Sequence, residues 1–232
     1  MDRLLNDEQR VDWLRLIMSE NVGPATFRTL VNRFGGAAQA LEALPDLYRR
    51  GGKTGHHRIY GREEALRDLA RADALGARFV AIGEAGYPPL LRRIYKAPIL
   101  LCMRGDLALL ELPAAAIVGA RSASALGLKF TRQIAAALGE AGYLVVSGLA
   151  RGIDTAAHQA ALPHATAAVL AGGIDSIYPP EKAALHAAIG ERGVLISEQV
   201  LEFKWICTFA IYYNRLHIGV CDQLSRRVPP GS

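Results

Sequence analysis

Cysteine is scarce in this chain and badly spaced for chemistry. Cys102, Cys207 and Cys221 are the only three among 232 residues, and no CxxC pair occurs. A zinc ribbon and a disulfide framework are both excluded. No apolar run approaches the ~18 residues that span a bilayer. The opening MDRLLNDEQR is charged where a secretory signal needs an apolar core. These absences point to a reduced, cytoplasmic protein with no membrane partner. The Walker loop is missing too, and with it any expectation of ATP hydrolysis. A dinucleotide dehydrogenase is disfavoured because no GxGxxG follows a strand; VGARSASALG puts Arg121 where the second glycine would let pyrophosphate in close.

What is present is an ordinary globular composition. Hydrophobic residues make up 51% and charged residues 21%, far from the balance of a disordered chain. The net charge of +5 is a mild excess that permits an anionic partner without demanding one. Most of it comes from arginine, whose planar fork suits phosphate.

Two textures divide the sequence. From Asp7 to about Ala74, apolar residues recur at three- and four-residue spacing in VDWLRLIM, ATFRTLVNRF, AAQALEAL and REEALRDLARADAL. This predicts a small helical domain over 1–75, with the glycine-rich RRGGKTGHHRIYG as a loop. The Val22-Gly23-Pro24 turn gives it a SAM or helix-hairpin-helix look, and such a turn can offer amides to a phosphate. An ordinary corner of a small bundle gives the same pattern and is the preferred reading. Residues 76–113, with Pro88-Pro89 and Ala97-Pro98, read as an extended linker. The basic RRIYK within it reads as a solvated face. From Ala114 the runs AAAIV, YLVVS, TAAVLA and VLISE alternate with helical patterns. Short apolar strands between helices predict a doubly wound parallel sheet over 114–198, Rossmann-like in architecture. Its ligand belongs beyond the carboxyl ends of the strands.

Those ends carry small and polar residues. The first loop holds Gly119, Arg121, Ser122, Ser124 and Gly127, and the second holds Ser147, Gly148, Arg151, Gly152 and Asp154. The third holds Gly172, Gly173, Asp175 and Tyr178, and the fourth Ser197-Glu198. Glycines let a backbone approach a ligand, and helix N-terminal amides attract phosphate. Serine hydroxyls add donors, and Arg121 can clamp a phosphate through two parallel bonds. Asp154 sits where a helix N-cap belongs. His158, four residues on, is placed to bond Asp154 and brace the helix start. Lys182, in the third connection, joins the expected phosphate contacts, whereas His158, Asp175 and Tyr178 are expected as support.

In this order and spacing, VGARSASALG, VVSGLARGIDTAAHQAAL, AVLAGGIDSIYP and LISE resemble the DNA-processing protein A family (DprA, also called Smf). The resemblance runs from about Tyr87 to Glu198. It implies a protein that binds and protects single-stranded DNA during natural transformation and loads the RecA recombinase. It further implies a homodimer, no cofactor, no metal and no catalytic step. By position, the family's Gly-x-Arg-x-x-Ser falls on Gly119, Arg121 and Ser124. Its Ser-Gly-x-Ala-x-Gly-Ile-Asp falls on Ser147, Gly148, Ala150, Gly152, Ile153 and Asp154. Leu126 stands where an aromatic is frequent. From Val200 the pattern departs: only Asn214-Arg215-Leu216 echoes the family's Arg-Asn-Arg signature. Residues 199–232 therefore read as a divergent end, truncated or frame-disrupted, that leaves the sheet short of strands. The alternative function is a nucleoside-phosphate enzyme of the lysine-decarboxylase-like phosphoribohydrolase group. Its PGG-x-GT loop and glutamate are absent from AGGIDSIYPP.

Overall fold

The first helix is written into its opening residues. Asn6 accepts a hydrogen bond from the Gln9 amide at 2.8 Å, and the Gln9 side chain accepts one from the Asn6 amide at 3.1 Å. This reciprocal cap starts α1 (Asp7–Met18). Pro24 opens α2 (Pro24–Phe34) in the first turn, where its missing N–H costs nothing, and Gly35 ends that helix at φ +85°. With α3 (Ala37–Arg50) and α4 (Arg62–Ala74) they bury Leu14, Leu16, Phe27, Leu41 and Leu44. The computed structural model describes residues 4–50, 57–177 and 180–201.

The expected linker is instead part of the sheet. Residues 76–113 supply β1 (Ala77–Ala81) and β2 (Leu100–Gly105), with two short 3-10 turns at Leu91–Arg93 and Leu107–Glu111. Apart from Arg78 and Arg104 their residues are apolar like those of the parallel strands, as strands largely buried on both faces require. The parallel set follows as β3 (Ala114–Ala116), β4 (Leu144–Ser147), β5 (Thr166–Leu170) and β6 (Val194–Ser197). The six strands lie in the order β1-β2-β6-β5-β4-β3. Neighbours from β3 to β6 are parallel, and β1 and β2 join antiparallel. The result is a Rossmann-like, mostly parallel sheet preceded by a helical domain, as expected.

Helices α5 (Ala125–Glu140), α6 (Ile153–Ala161) and α7 (Ala183–Arg192) connect the parallel strands. One face of the sheet, with Phe79, Cys102, Ala168 and Leu195, packs against α7 and the N-terminal helices. On the same side, Val145 meets Ala135 of α5 and Ala157 and Ala161 of α6. Val80, Met103, Val146 and Ile196 pack on the opposite side with Tyr87, Leu91, Leu107 and Leu110 of the former linker. Glu84 fastens the two regions. Its buried carboxylate accepts from Arg10 at 2.6 and 2.8 Å, from the Ala81 amide at 2.8 Å and from the Leu5 amide at 3.0 Å. Burial alone would push this carboxyl up, but the arginine and the amides outweigh it and hold it below its ordinary value.

Candidate nucleic-acid interface

The loops beyond β3 and β4 lie side by side, joined by their backbones. Ser147, fully buried at the end of β4, donates its hydroxyl to the Ile117 carbonyl at 2.6 Å. The Ile153 amide donates to the Ala120 carbonyl at 3.2 Å. Gly152 lies between them at φ +76°, where a Cβ would stand 2.2 Å from the Ala120 oxygen. Gly119 is equally confined, for its Cβ would fall 2.7 Å from Ile153. These two glycines serve close backbone approach, one loop against the other.

The first loop turns its polar groups outward. Gly119, Arg121, Ser122 and Ser124 are exposed. Ser124 caps α5, accepting from the Gly127 amide at 3.1 Å, and leaves its hydroxyl proton to donate elsewhere. Behind it α5 is 16 residues long, so its dipole and first-turn amides stand under this loop. Lys129 and Arg132 add exposed positive charge along the helix.

The second loop turns most of its polar groups inward, which corrects several expectations. Asp154 is the second residue of α6 and not its cap; Gly152 holds the cap position. The buried Asp154 carboxylate accepts from the Gly148 and Ala150 amides, both at 3.2 Å. It therefore occupies the Gly148 amide, which was expected to face phosphate. Lys182 is buried as well, its ammonium donating to the Leu149 carbonyl at 2.7 Å, to the Ala150 carbonyl and to Thr155. Thr155 itself donates to the Ala150 carbonyl at 2.7 Å. Burial pushes the Lys182 ammonium below its ordinary pKa, although Asp154 and Glu181 pull the other way. In this geometry Lys182 shapes the loop and does not present its charge. Arg151 is the outward side chain of this loop, paired with Glu181 at 2.7 and 3.0 Å.

His158 does not meet Asp154. Its Nδ1 lies 2.7 Å from the Thr166 hydroxyl, which donates onward to the Val145 carbonyl at 3.0 Å. The Nδ1–H is thus the donor, and the ring ties α6 to β4 and β5. Support was the expected role; the partner is different, because Asp154 is already turned toward the loop.

The third and fourth loops close on each other. Ser197 donates to the Gly172 carbonyl at 2.7 Å and accepts from the Gln199 amide at 2.9 Å. Gly172 and Gly173 are buried, and a Cβ on Gly173 would stand 2.5 Å from the Val200 oxygen. Neither glycine offers its backbone to a ligand from outside. Asp175 pairs with Arg71 of α4 at 3.3 Å, linking this loop to the helical domain. Tyr178 lies outside the described residues, as do Cys207, Cys221 and the divergent end beyond Leu201. Cys102 is buried in β2, and burial pushes its thiol up to about 12, so it is no nucleophile.

Sequence reasoning missed Thr155 and Thr166. A threonine bracing a loop and a threonine on a strand look alike in sequence, and only the folded loop and the register of β4 against β5 reveal their partners.

A mostly parallel α/β sheet with two joined loops at one end, one of them an outward arginine–serine loop at a helix N-terminus, has the form of an anion-binding site. Residues 78–224 match the family described as DNA recombination-mediator protein A, and residues 7–71 match a DprA-like N-terminal HHH domain. The chain belongs to the DNA recombination-mediator protein A family. The family match extends past Glu198 into the divergent end. It also shows that the N-terminal helices are of the HHH kind, against the preferred reading of an ordinary corner.

Among curated relatives, the DNA processing protein DprA of Streptococcus pneumoniae is 40% identical over 142 residues, 58% of this chain and 48% of its own length. Protein Smf of Synechocystis is 33% identical over 207 residues, 84% of this chain and 52% of its own. The chain thus spans about half the length of the curated relatives it matches. The X-ray structure of DprA from Streptococcus pneumoniae superposes with a TM-score of 0.69 at 26% identity, covering 94% of this chain and 76% of that one. DNA processing protein A from Helicobacter pylori, solved to describe its single-stranded DNA binding mode, superposes with a TM-score of 0.58 at 28% identity. There the coverage is 63% of this chain and 66% of that one.

Proposed function

We propose that this protein binds single-stranded DNA across the loops that follow β3 and β4. The observation that carries the reading is the first loop, where Arg121, Ser122 and Ser124 stand exposed over the N-terminus of α5. Such a set meets phosphates and leaves bases unread, which suits a binder of strands of any sequence. The named activity of the Helicobacter pylori relative supports the same ligand. In the wider role implied by the family, the bound strand passes to a RecA-type recombinase in the cytoplasm during DNA uptake, with the protein acting as a homodimer. No catalytic step is proposed: a phosphodiester would meet no nucleophile and base held together in these loops.

Fluorescence anisotropy of labelled oligothymidine at two salt concentrations tests the binding. Arg121→Ala is expected to weaken affinity about tenfold or more, as for a charged hydrogen bond. The log–log salt slope should become shallower by about 0.7, one phosphate of a single strand. A loss that depends on base sequence would overturn the phosphate reading. Phosphate release from ATP by the pure protein, abolished in Arg121→Ala, would overturn the absence of catalysis.

A further inference from the structure

The segment joining β1 to β2 runs from Ile82 to Ile99, and the RRIYK within it was read from sequence as a solvated basic face. Strand register fixes which end of the sheet it occupies. Ala81, the last residue of β1, pairs with Leu100, the first of β2. Cys102 in turn pairs with Ser197, the last residue of β6, and β6 runs parallel to β5 and β4. The connection therefore projects from the carboxyl end of the parallel strands, the same end as the loops bearing Arg121 and Arg151.

Its tip is exposed while its base is rigid. Tyr95 is 84% exposed, the largest value among the described large apolar side chains. Arg93 and Lys96 beside it are also exposed. Below the tip, Tyr87, Leu91, Ala97 and Ile99 are buried. Tyr87 donates to the Pro98 carbonyl at 2.8 Å and Arg28 to the Ala97 carbonyl at 2.9 Å. The Ala97 amide donates to the Ile94 carbonyl at 3.2 Å, which forces Lys96 to φ +56°, a left-handed conformation that side chains other than glycine rarely adopt. The Lys96 ammonium stands 5.1 Å from the centre of the Tyr95 ring, against one face of it. A strained, anchored turn thus displays an aromatic ring flanked by cations. Sequence-tolerant contact with single strands combines these two elements, base stacking and backbone charge.

We infer that this tip is a second contact for the same single strand, with a base stacking on Tyr95 and neighbouring phosphates meeting Arg93 and Lys96. The inference rests on the proposed binding of DNA at the β3 and β4 loops. Strand order sets the span. From β2 to β4 there are three interstrand steps and to β3 four, about 14–19 Å at 4.8 Å per step. At the 3.4 Å rise of a stacked duplex strand that is about four to six nucleotides, and a single strand drawn out of its stack covers it with fewer. A strand of about 20 nucleotides therefore reaches both sites, and a dinucleotide reaches one.

The test is anisotropy with oligothymidines of about 2 and about 20 nucleotides, using the full chain and its Tyr95→Ala, Tyr95→Phe, Lys96→Ala and Arg121→Ala variants. Tyr95→Ala should weaken binding of the long oligomer about five- to a hundredfold, the worth of one stacked base. Tyr95→Phe should restore it, because the ring suffices for stacking. The short oligomer should lose little with Tyr95→Ala and much with Arg121→Ala. Lys96→Ala should lower the salt slope for the long oligomer by about 0.7. If Tyr95→Ala binds the long oligomer like the wild type while Arg121→Ala fails, the second contact is overturned and the strand-end reading stands. If the folded wild type binds neither oligomer, both readings fall together.

Discussion

The loops after β3 and β4 share a vocabulary of glycine, serine and arginine yet use it in opposite ways. In the first, Ser124 caps a helix, and Arg121 and Ser122 stay on the surface. The second is folded around itself, with Asp154, Lys182 and Thr155 consuming its amides and carbonyls. One loop presents chemistry and its neighbour supplies the mould. Buried polar groups must find partners, so the deeper loop had to be self-satisfying before it could be anything else.

The comparison breaks most severely at Gly152. Gly152→Ala forces a side chain into contact with the Ala120 and Arg121 carbonyls at a glycine-only backbone angle. A loss of roughly 3–5 kcal/mol is expected, combining backbone strain with overlap. Thermal unfolding should fall by about 10 °C. Asp154→Ala should cost about 2–4 kcal/mol, since it orphans two loop amides. Urea unfolding would register it, and an unchanged midpoint would mean that the loop satisfies itself some other way. Arg121→Ala is the mirror experiment: binding suffers, while stability should move by less than about 0.5 kcal/mol, as for a surface change. If Asp154→Ala instead spared stability and abolished binding, the division between mould and contact would be wrong.

A subtler probe lies under the third loop. His186 is buried and donates its Nε2–H to the Ile174 carbonyl at 3.0 Å. Burial lowers its pKa below the ordinary 6.5; the Ile174 bond and Asp175 oppose this and Arg104 adds to it. Between the folded value and 6.5 the unfolded chain holds more protons, so stability should fall as pH drops through that window. His186→Gln should flatten this part of the pH profile of the unfolding midpoint, and an unchanged slope would assign it to other groups. The smallest effect is expected at Ser122, where Ser122→Ala removes one exposed hydroxyl. It should cost about threefold in oligothymidine affinity, the worth of one neutral hydrogen bond.

Most of the fold was legible because its signals are local. Helical spacing and unbroken apolar runs located the helices and the four parallel strands. Residues 76–113 were misread because Pro88, Pro89 and Pro98 mark breaks without saying what lies between them. Strand pairing with β6 is a contact between distant residues. The site was legible as an address more than as a set of roles. SGLARGID announced a special turn, but Asp154 and Lys182 look the same in sequence whether they face a ligand or their own backbone. The surface position of Arg121 and Arg151 was easier to read, because a charge on an exposed loop has no core to serve.

Arg151 also arrives with a companion. Its guanidinium rests on Glu181 in an exposed pair of the kind that adds little to stability. Any visiting anion competes with a tenant already in place. A free phosphate or a lone mononucleotide brings too few contacts to make eviction worthwhile, whereas a polymer held at Arg121 arrives with its next charge already near. If the proposed strand binding holds, this carboxylate favours a chain over small anions.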